Sequence, residues 1–134
     1  MQPALSTEEP LRTALVVDDE MVVRVVIRRY LERRGWRILE AESAEEALFL
    51  IGSAVTTLDV VMCDLNLPGI SGSALCRHIS EVRPDLTSRF VLTSGDPSSA
   101  EAQIERDALG CSMLSKPFSL IDLDRIVNGV ARAA

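Results

Sequence analysis

The chain has 134 residues, 47% of them hydrophobic and 25% charged, with a formal net charge of −6. That length fits one domain with a real core, and the acidic balance excludes general nucleic-acid binding, which needs a basic footprint. No run approaches the roughly 18 apolar residues that span a bilayer, and the opening MQPALSTEEP lacks a secretory signal's basic head and apolar stretch, so a cytoplasmic protein with no membrane partner is expected.

Residues 1–11 are polar, contain two prolines and show no period, so they read as a flexible tail before one domain over 12–134. Ala14-Leu15-Val16-Val17 is the first predicted strand. Val23, Val26, Ile27, Tyr30 and Leu31 form the stripe of a first helix, with Gly35 as its C-cap. Trp36 to Glu40 reads as a second strand. Ser43-Ala44-Glu45-Glu46 is a capping box, opening a helix whose inner face carries Ala47, Leu48 and Ile51. Val60 to Cys63 is a third strand, and Leu75, Ile79 and Val82 mark a third helix that stops before Pro84. After a fourth strand at Phe90-Val91-Leu92, Asp96-Pro97 predicts an N-cap and first turn for a fourth helix, around Ser98 to Leu109, with the weakest apolar stripe. Met113-Leu114 is a weak fifth strand. Ser119 caps a last helix carrying Leu123, Ile126, Val127 and Val130.

Strand and helix thus alternate five times, which predicts an α/β domain with a parallel sheet covered by helices on both faces. The first, third and fourth strands are continuous apolar runs, as expected of strands buried on both faces. Ligands of such sheets sit beyond the carboxyl ends of the strands. Those ends carry Asp18-Asp19-Glu20, Asp64, Thr93-Ser94-Gly95 and Lys116-Pro117. Each has a plain explanation alone. An acidic pair before a helix commonly caps it; Asp64 with Asn66, Pro68 and Gly69 can open a turn; a lysine can sit on the surface. Four polar groups at four strand ends are harder to dismiss together, and Lys116 is the only lysine beside thirteen arginines.

Two carboxylates about 5 Å apart repel by roughly 3 kcal/mol at an effective dielectric near 20. Asp18, Asp19 and Asp64 in one cleft therefore call for a cation, and Mg²⁺ suits hard oxygen ligands. Lys116 adds a compact donor for a phosphate oxygen, and a hydroxyl from Ser94 or Thr93 would hold another. Such a set can stabilise a phosphoryl group on a carboxylate. Elsewhere the signals are structural. Arg28, Arg29, Arg33 and Arg34 read as a solvated helix face, His78 as a structural or solvent-facing helix residue, and Cys63, Cys76 and Cys111 as buried thiols without metal spacing.

These pieces carry a resemblance. VVDDE at 16–20, Arg24, AESAEEAL at 41–48, DLNLPGISG at 64–72, TSG at 93–95 and KPF at 116–118 resemble, in order and spacing, the response-regulator receiver domains of two-component phosphorelay signalling. The resemblance runs from about Thr13 to the C-terminus. It implies a flavodoxin-like doubly wound sheet of five strands in the order 2-1-3-4-5 with five helices. It implies Asp64 as phosphoacceptor, with Mg²⁺ held by Asp19, Asp64 and the Asn66 backbone carbonyl, and by Asp18 through water. Lys116 would pair with the phosphoryl group, ahead of a cis Lys116–Pro117 bond. Family spacing assigns the switch hydroxyl to Ser94, with Thr93 as the alternative. Met113 departs from the pattern, standing where the family usually has an aromatic switch residue.

The function implied is a phosphorylation-dependent switch rather than an enzyme, one that takes part in its own phosphoryl transfer and self-dephosphorylation. Its phosphodonor would be a histidine kinase or histidine phosphotransfer domain and its output an unidentified downstream protein, with no direct nucleic-acid contact and with homodimerisation left open. Met113 keeps a phosphorylation-independent docking module as an alternative. An aspartyl-phosphate phosphatase is disfavoured because Asn66 stands where that class has a second acid. One helix follows the fifth strand, so the expectation is a receiver standing alone or cut from a larger protein such as a hybrid kinase.

Overall fold

The continuous apolar runs become the centre of a sheet. In the computed structural model, which describes residues 11–53, 57–96 and 98–133, five strands pair in parallel. They are β1 (Arg12–Val17), β2 (Trp36–Ala41), β3 (Val60–Asp64), β4 (Phe90–Ser94) and β5 (Ser112–Ser115), in the order β2-β1-β3-β4-β5. Helices α1 (Met21–Glu32), α2 (Ala44–Ser53), α3 (Gly72–Val82), α4 (Ala100–Leu109) and α5 (Leu120–Ala133) follow the strands in turn. This is the predicted doubly wound, flavodoxin-like arrangement, with one addition among the described residues: a short 3₁₀ helix at Pro84–Arg89.

Strand alternation sorts the core into two layers. Leu15, Val17, Val61, Cys63, Phe90 and Leu92 pack with Ala47 and Ile51 of α2 and Leu75 and Ile79 of α3. Ala14, Val16, Val60, Met62 and Val91 pack with Ile27 and Leu31 of α1 and Leu123 and Val127 of α5. β3 and β4 are buried along their whole length, which is why they lack a polar alternation.

Several local expectations need correction. The apolar stripes would turn Val26 and Val82 inward, but they are 45% and 57% exposed. In α1 the buried places belong to Arg24, Ile27 and Leu31, with Val23 and Tyr30 partly buried against the same core, so Val26 is the one member of the predicted stripe that turns outward. The C-cap of α1 is Arg33; Gly35 follows two residues later at φ +91° and turns the chain into β2. Ser43 accepts from the Glu46 amide at 3.1 Å, but Glu46 reaches back to the Glu42 amide rather than to Ser43. The N-cap of α4 is Ser99, which accepts from the Ala102 amide at 3.1 Å. Asp96 instead sits in the preceding turn and takes the Ser98 hydroxyl, so the cap falls to the later of two competing side chains. Pro97 and residues 1–10 of the tail lie outside the described residues.

Candidate functional site

Three strands end on the same edge of the sheet, and Lys116 marks the point where their chains meet. Its Nζ lies 2.7 Å from Asp18 Oδ2, 3.0 Å from Asp64 Oδ2 and 3.4 Å from Glu20 Oε1. The Lys116 amide donates to the Ser94 carbonyl at 2.7 Å, extending the β4–β5 ladder one residue past β5. The Lys116–Pro117 bond is cis, as the resemblance implies.

The acidic pair does not cap α1. Glu20 holds the N-cap position without a side-chain cap bond, and Asp18 turns inward, accepting from the Glu20 amide at 2.9 Å. Asp64 keeps part of its turn role, since Oδ1 accepts from the Asn66 amide at 3.1 Å, while Oδ2 faces Lys116. Asp18 and Asp64 are buried and Asp19 is exposed, yet carboxylate oxygens of all three lie within 4.8 Å of one another. The cleft thus gathers more negative charge than one ammonium offsets. Hard carboxylate oxygens so close together fit a divalent ion of the Mg²⁺ class. The Asn66 carbonyl accepts no hydrogen bond among the described residues.

The electrostatics follow from burial. Desolvation pushes the Asp64 carboxyl above its ordinary value; the Asn66 amide and Lys116 oppose the rise without cancelling it, and Asp18 adds to it. The folded chain therefore holds that proton more tightly than the unfolded one, so ionised Asp64 costs stability at neutral pH, and the cost is relieved as pH falls through its raised pKa. Burial alone would lower the Lys116 pKa. The hydrogen bonds to Asp18 and Asp64 more than offset it, and the pKa ends well above that of ordinary lysine. Its contribution is therefore complete below the ordinary lysine value and is lost only in strong alkali.

Neither candidate hydroxyl is hydrogen-bonded to Asp64. Ser94 Oγ accepts from the Asp96 amide at 3.0 Å, which ties it to the loop before α4. Thr93 is 2% exposed, and its Oγ1 has no hydrogen-bond partner among the described residues. An unpaired buried hydroxyl carries a desolvation cost of about 1–3 kcal/mol. Thr93→Val is therefore expected to raise stability by about 1 kcal/mol in a urea melt, the lower end of that range. Loss of stability would show that the hydroxyl has a partner after all.

Met113 is half-buried against the α2–α3 layer. His78 is exposed beside Glu81, as predicted. Cys63 and Cys76 are buried free thiols, and burial pushes the half-buried Cys111 up to about 11. Arg28 pairs with Glu40, and Arg34 pairs with Asp124 and lies over Tyr30, so the basic cluster is only partly a solvated face. Sequence reasoning gives no role to Glu20 or Glu40, and none to Arg24 beyond its place in the resemblance. The one signal for Arg24 is its position seven residues before Leu31, and so on the same helix face.

Residues 14–128 match the response regulator receiver domain family. The chain belongs to that family. Among relatives of this receiver domain, the transcriptional regulatory protein ResD of Bacillus subtilis is 42% identical over 120 residues, covering 90% of this chain and 48% of ResD. The sensor kinase CckA of Brucella abortus is 34% identical over 116 residues, covering 87% of this chain and 12% of CckA. The receiver domain thus spans less than half the length of these curated relatives. The crystal structure of a response regulator receiver protein from Pseudomonas putida superposes with a TM-score of 0.80 at 30% identity, covering 90% of this chain and 98% of that one. A chemotaxis response regulator of Vibrio cholerae, at 24% identity, shares the fold with a TM-score of 0.80, covering 90% and 99% of the two chains. No helix among the described residues is long and apolar enough to cross a membrane.

Proposed function

We propose that this receiver domain is a phosphorylation-controlled switch in which Asp64 accepts a phosphoryl group from a histidine of a kinase or phosphotransfer domain. The observation that carries the reading is Lys116 Nζ, 2.7 Å from Asp18 and 3.0 Å from Asp64 across three separate strand ends. Asp64, Asp19 and the Asn66 carbonyl would hold Mg²⁺, with Asp18 acting through water. Bound there, the ion would offset charge on the acceptor and the incoming phosphoryl oxygens.

An Asp64 carboxylate oxygen attacks phosphorus, an O–P bond forms, the P–N bond to the donor imidazole breaks, and the imidazole leaves with its electron pair. Lys116 then faces a phosphoryl oxygen in place of Asp64 Oδ2. Ser94, released from the Asp96 amide, takes another, which loosens the loop leading to α4. That helix buries only Ala102, so moving it disturbs little core. A shift from an even population to about 99:1 needs about 2.7 kcal/mol of preference for the phosphorylated form. Water attacking phosphorus, with cleavage of the O–P bond to Asp64, returns carboxylate and inorganic phosphate and resets the switch.

Incubation with Mg²⁺ and acetyl phosphate or phosphoramidate, read by intact mass, tests this directly. One phosphate per chain is expected, dependent on Mg²⁺ and absent in Asp64→Ala. No adduct with any small donor favours a docking module that works without phosphorylation; turnover of assorted phosphoesters favours a phosphatase.

A further inference from the structure

One inward place on α1 is taken by a charge. Arg24 is 9% exposed and sits among the buried residues of that helix with Ile27 and Leu31. Its guanidinium joins the loop after β1 to β2: Nη1 donates to the Asp18 backbone carbonyl at 2.7 Å, and Nε donates to Glu40 Oε1 on β2 at 3.1 Å. The second Glu40 oxygen accepts from Arg28, so the carboxylate is anchored from both sides.

The Asp18 carbonyl is part of the planar peptide unit that leads into Asp19. Fixing that oxygen fixes the plane, and the plane sets the direction in which both acidic side chains leave the backbone. The Asp18 amide donates to the Ala41 carbonyl at 3.1 Å, so Arg24 closes the second of two main-chain grips on this residue. Lys116 and the Glu20 amide hold its side-chain oxygens instead. A cation drawing on those carboxylates competes with the side-chain bonds and leaves the main-chain grips in place.

We propose that Arg24, backed by Glu40, is a positioning residue for the cation site, holding the Asp18–Asp19 peptide so that both carboxylates face Asp64. The inference rests on the metal reading given above. Partners that orient metal ligands without touching the metal are typically worth 10–100-fold in affinity. Arg24→Lys keeps the charge, but one ammonium on a single stem lacks the fork that spans carbonyl and carboxylate together. Arg28→Lys is the matched control, because Arg28 also pairs with Glu40 and does not reach Asp18.

The experiment is a Mg²⁺ titration of wild type, Arg24→Lys, Arg28→Lys and Glu40→Gln, followed by amide chemical shifts well below each variant's melting temperature. Mg²⁺ affinity is expected to fall about tenfold in Arg24→Lys, the lower end of that range, and to a smaller extent in Glu40→Gln. Arg28→Lys, which keeps a cation beside Glu40 and has no bond to Asp18, should lower it less than Arg24→Lys does, and the metal-free Asp19 amide shift should move in Arg24→Lys alone of the two arginine variants. Glu40→Gln keeps the guanidinium in the core and decides the matter if Arg24→Lys fails to fold. Equal affinity in wild type and Arg24→Lys, or equal losses in the two arginine variants, overturns the proposal while leaving the site reading intact. Absence of Mg²⁺ binding by the wild type removes the site reading, and the positioning role with it.

Discussion

Lys116→Met is expected to cost the metal-free protein about 3 kcal/mol at neutral pH, because it leaves two buried carboxylates facing each other. Methionine retains the apolar stem, so packing changes little and the loss reports charge. The Lys116 side chain is 16% exposed and those of Asp18 and Asp64 are 3% and 9%, so water screens the set poorly. The loss should depend on pH in a definite direction. Lys116 now lowers the Asp64 pKa, so its removal raises that pKa further. The variant should then regain stability as pH falls through the Asp64 titration, more steeply than wild type.

The ammonium also sits on the oxygens a cation would use. Mg²⁺ should bind the variant several-fold more tightly than wild type and narrow the stability gap by mass action. Urea melts at several pH values, with and without Mg²⁺, check all three effects. A loss that is independent of pH and untouched by Mg²⁺ would mean that Lys116 acts through packing alone.

Gly72→Ala is the second large effect, expected at the upper end of overpacking costs, about 3 kcal/mol. A Cβ at Gly72 would stand 2.0 Å from the Asp64 carbonyl oxygen and 2.9 Å from Leu65 Cα. Those are backbone atoms and cannot swing aside. The Gly72 amide donates to the Leu65 carbonyl at 2.9 Å, closing the loop between β3 and α3 onto itself. Relief must therefore move the strand end that carries the acceptor, and the phosphate adduct should fall along with stability. Gly129 provides the contrast. It lies within α5, and a Cβ there would meet nothing within 4 Å, so Gly129→Ala is expected to stabilise by about 0.5–1 kcal/mol. Chemical denaturation of both variants, with intact mass after phosphodonor treatment of Gly72→Ala, checks the pair. A near-neutral Gly72→Ala would mean the loop has slack.

Two glycines show how far local pattern reaches. Gly69 is marked as a turn residue by its neighbours Pro68 and Asn66, and it does adopt φ +84°. Gly72 has an ordinary backbone, and its need for a bare Cα comes only from the chain crossing it at Asp64 and Leu65. Arg24 is similar: its partners just past β1 and on β2 are fixed by where α1 lands, which no local pattern encodes. The start of α4 falls later than its sequence predicts because Asp96 and Ser99 are both good caps, and the Ser94 hydroxyl binding the Asp96 amide helps hold the earlier one in a turn.

What the sequence determined by itself is the alternation of strands and helices and the polar groups at the strand ends. Those follow from side-chain periodicity and local backbone preference, which act over a few residues. What tertiary structure decided is how those ends are wired: Lys116 between Asp18 and Asp64, Arg24 on the Asp18 carbonyl, Ser94 on Asp96, and Gly72 against Asp64. Such contacts depend on ångström-scale placement of whole elements, set by how the two core layers close-pack on the sheet.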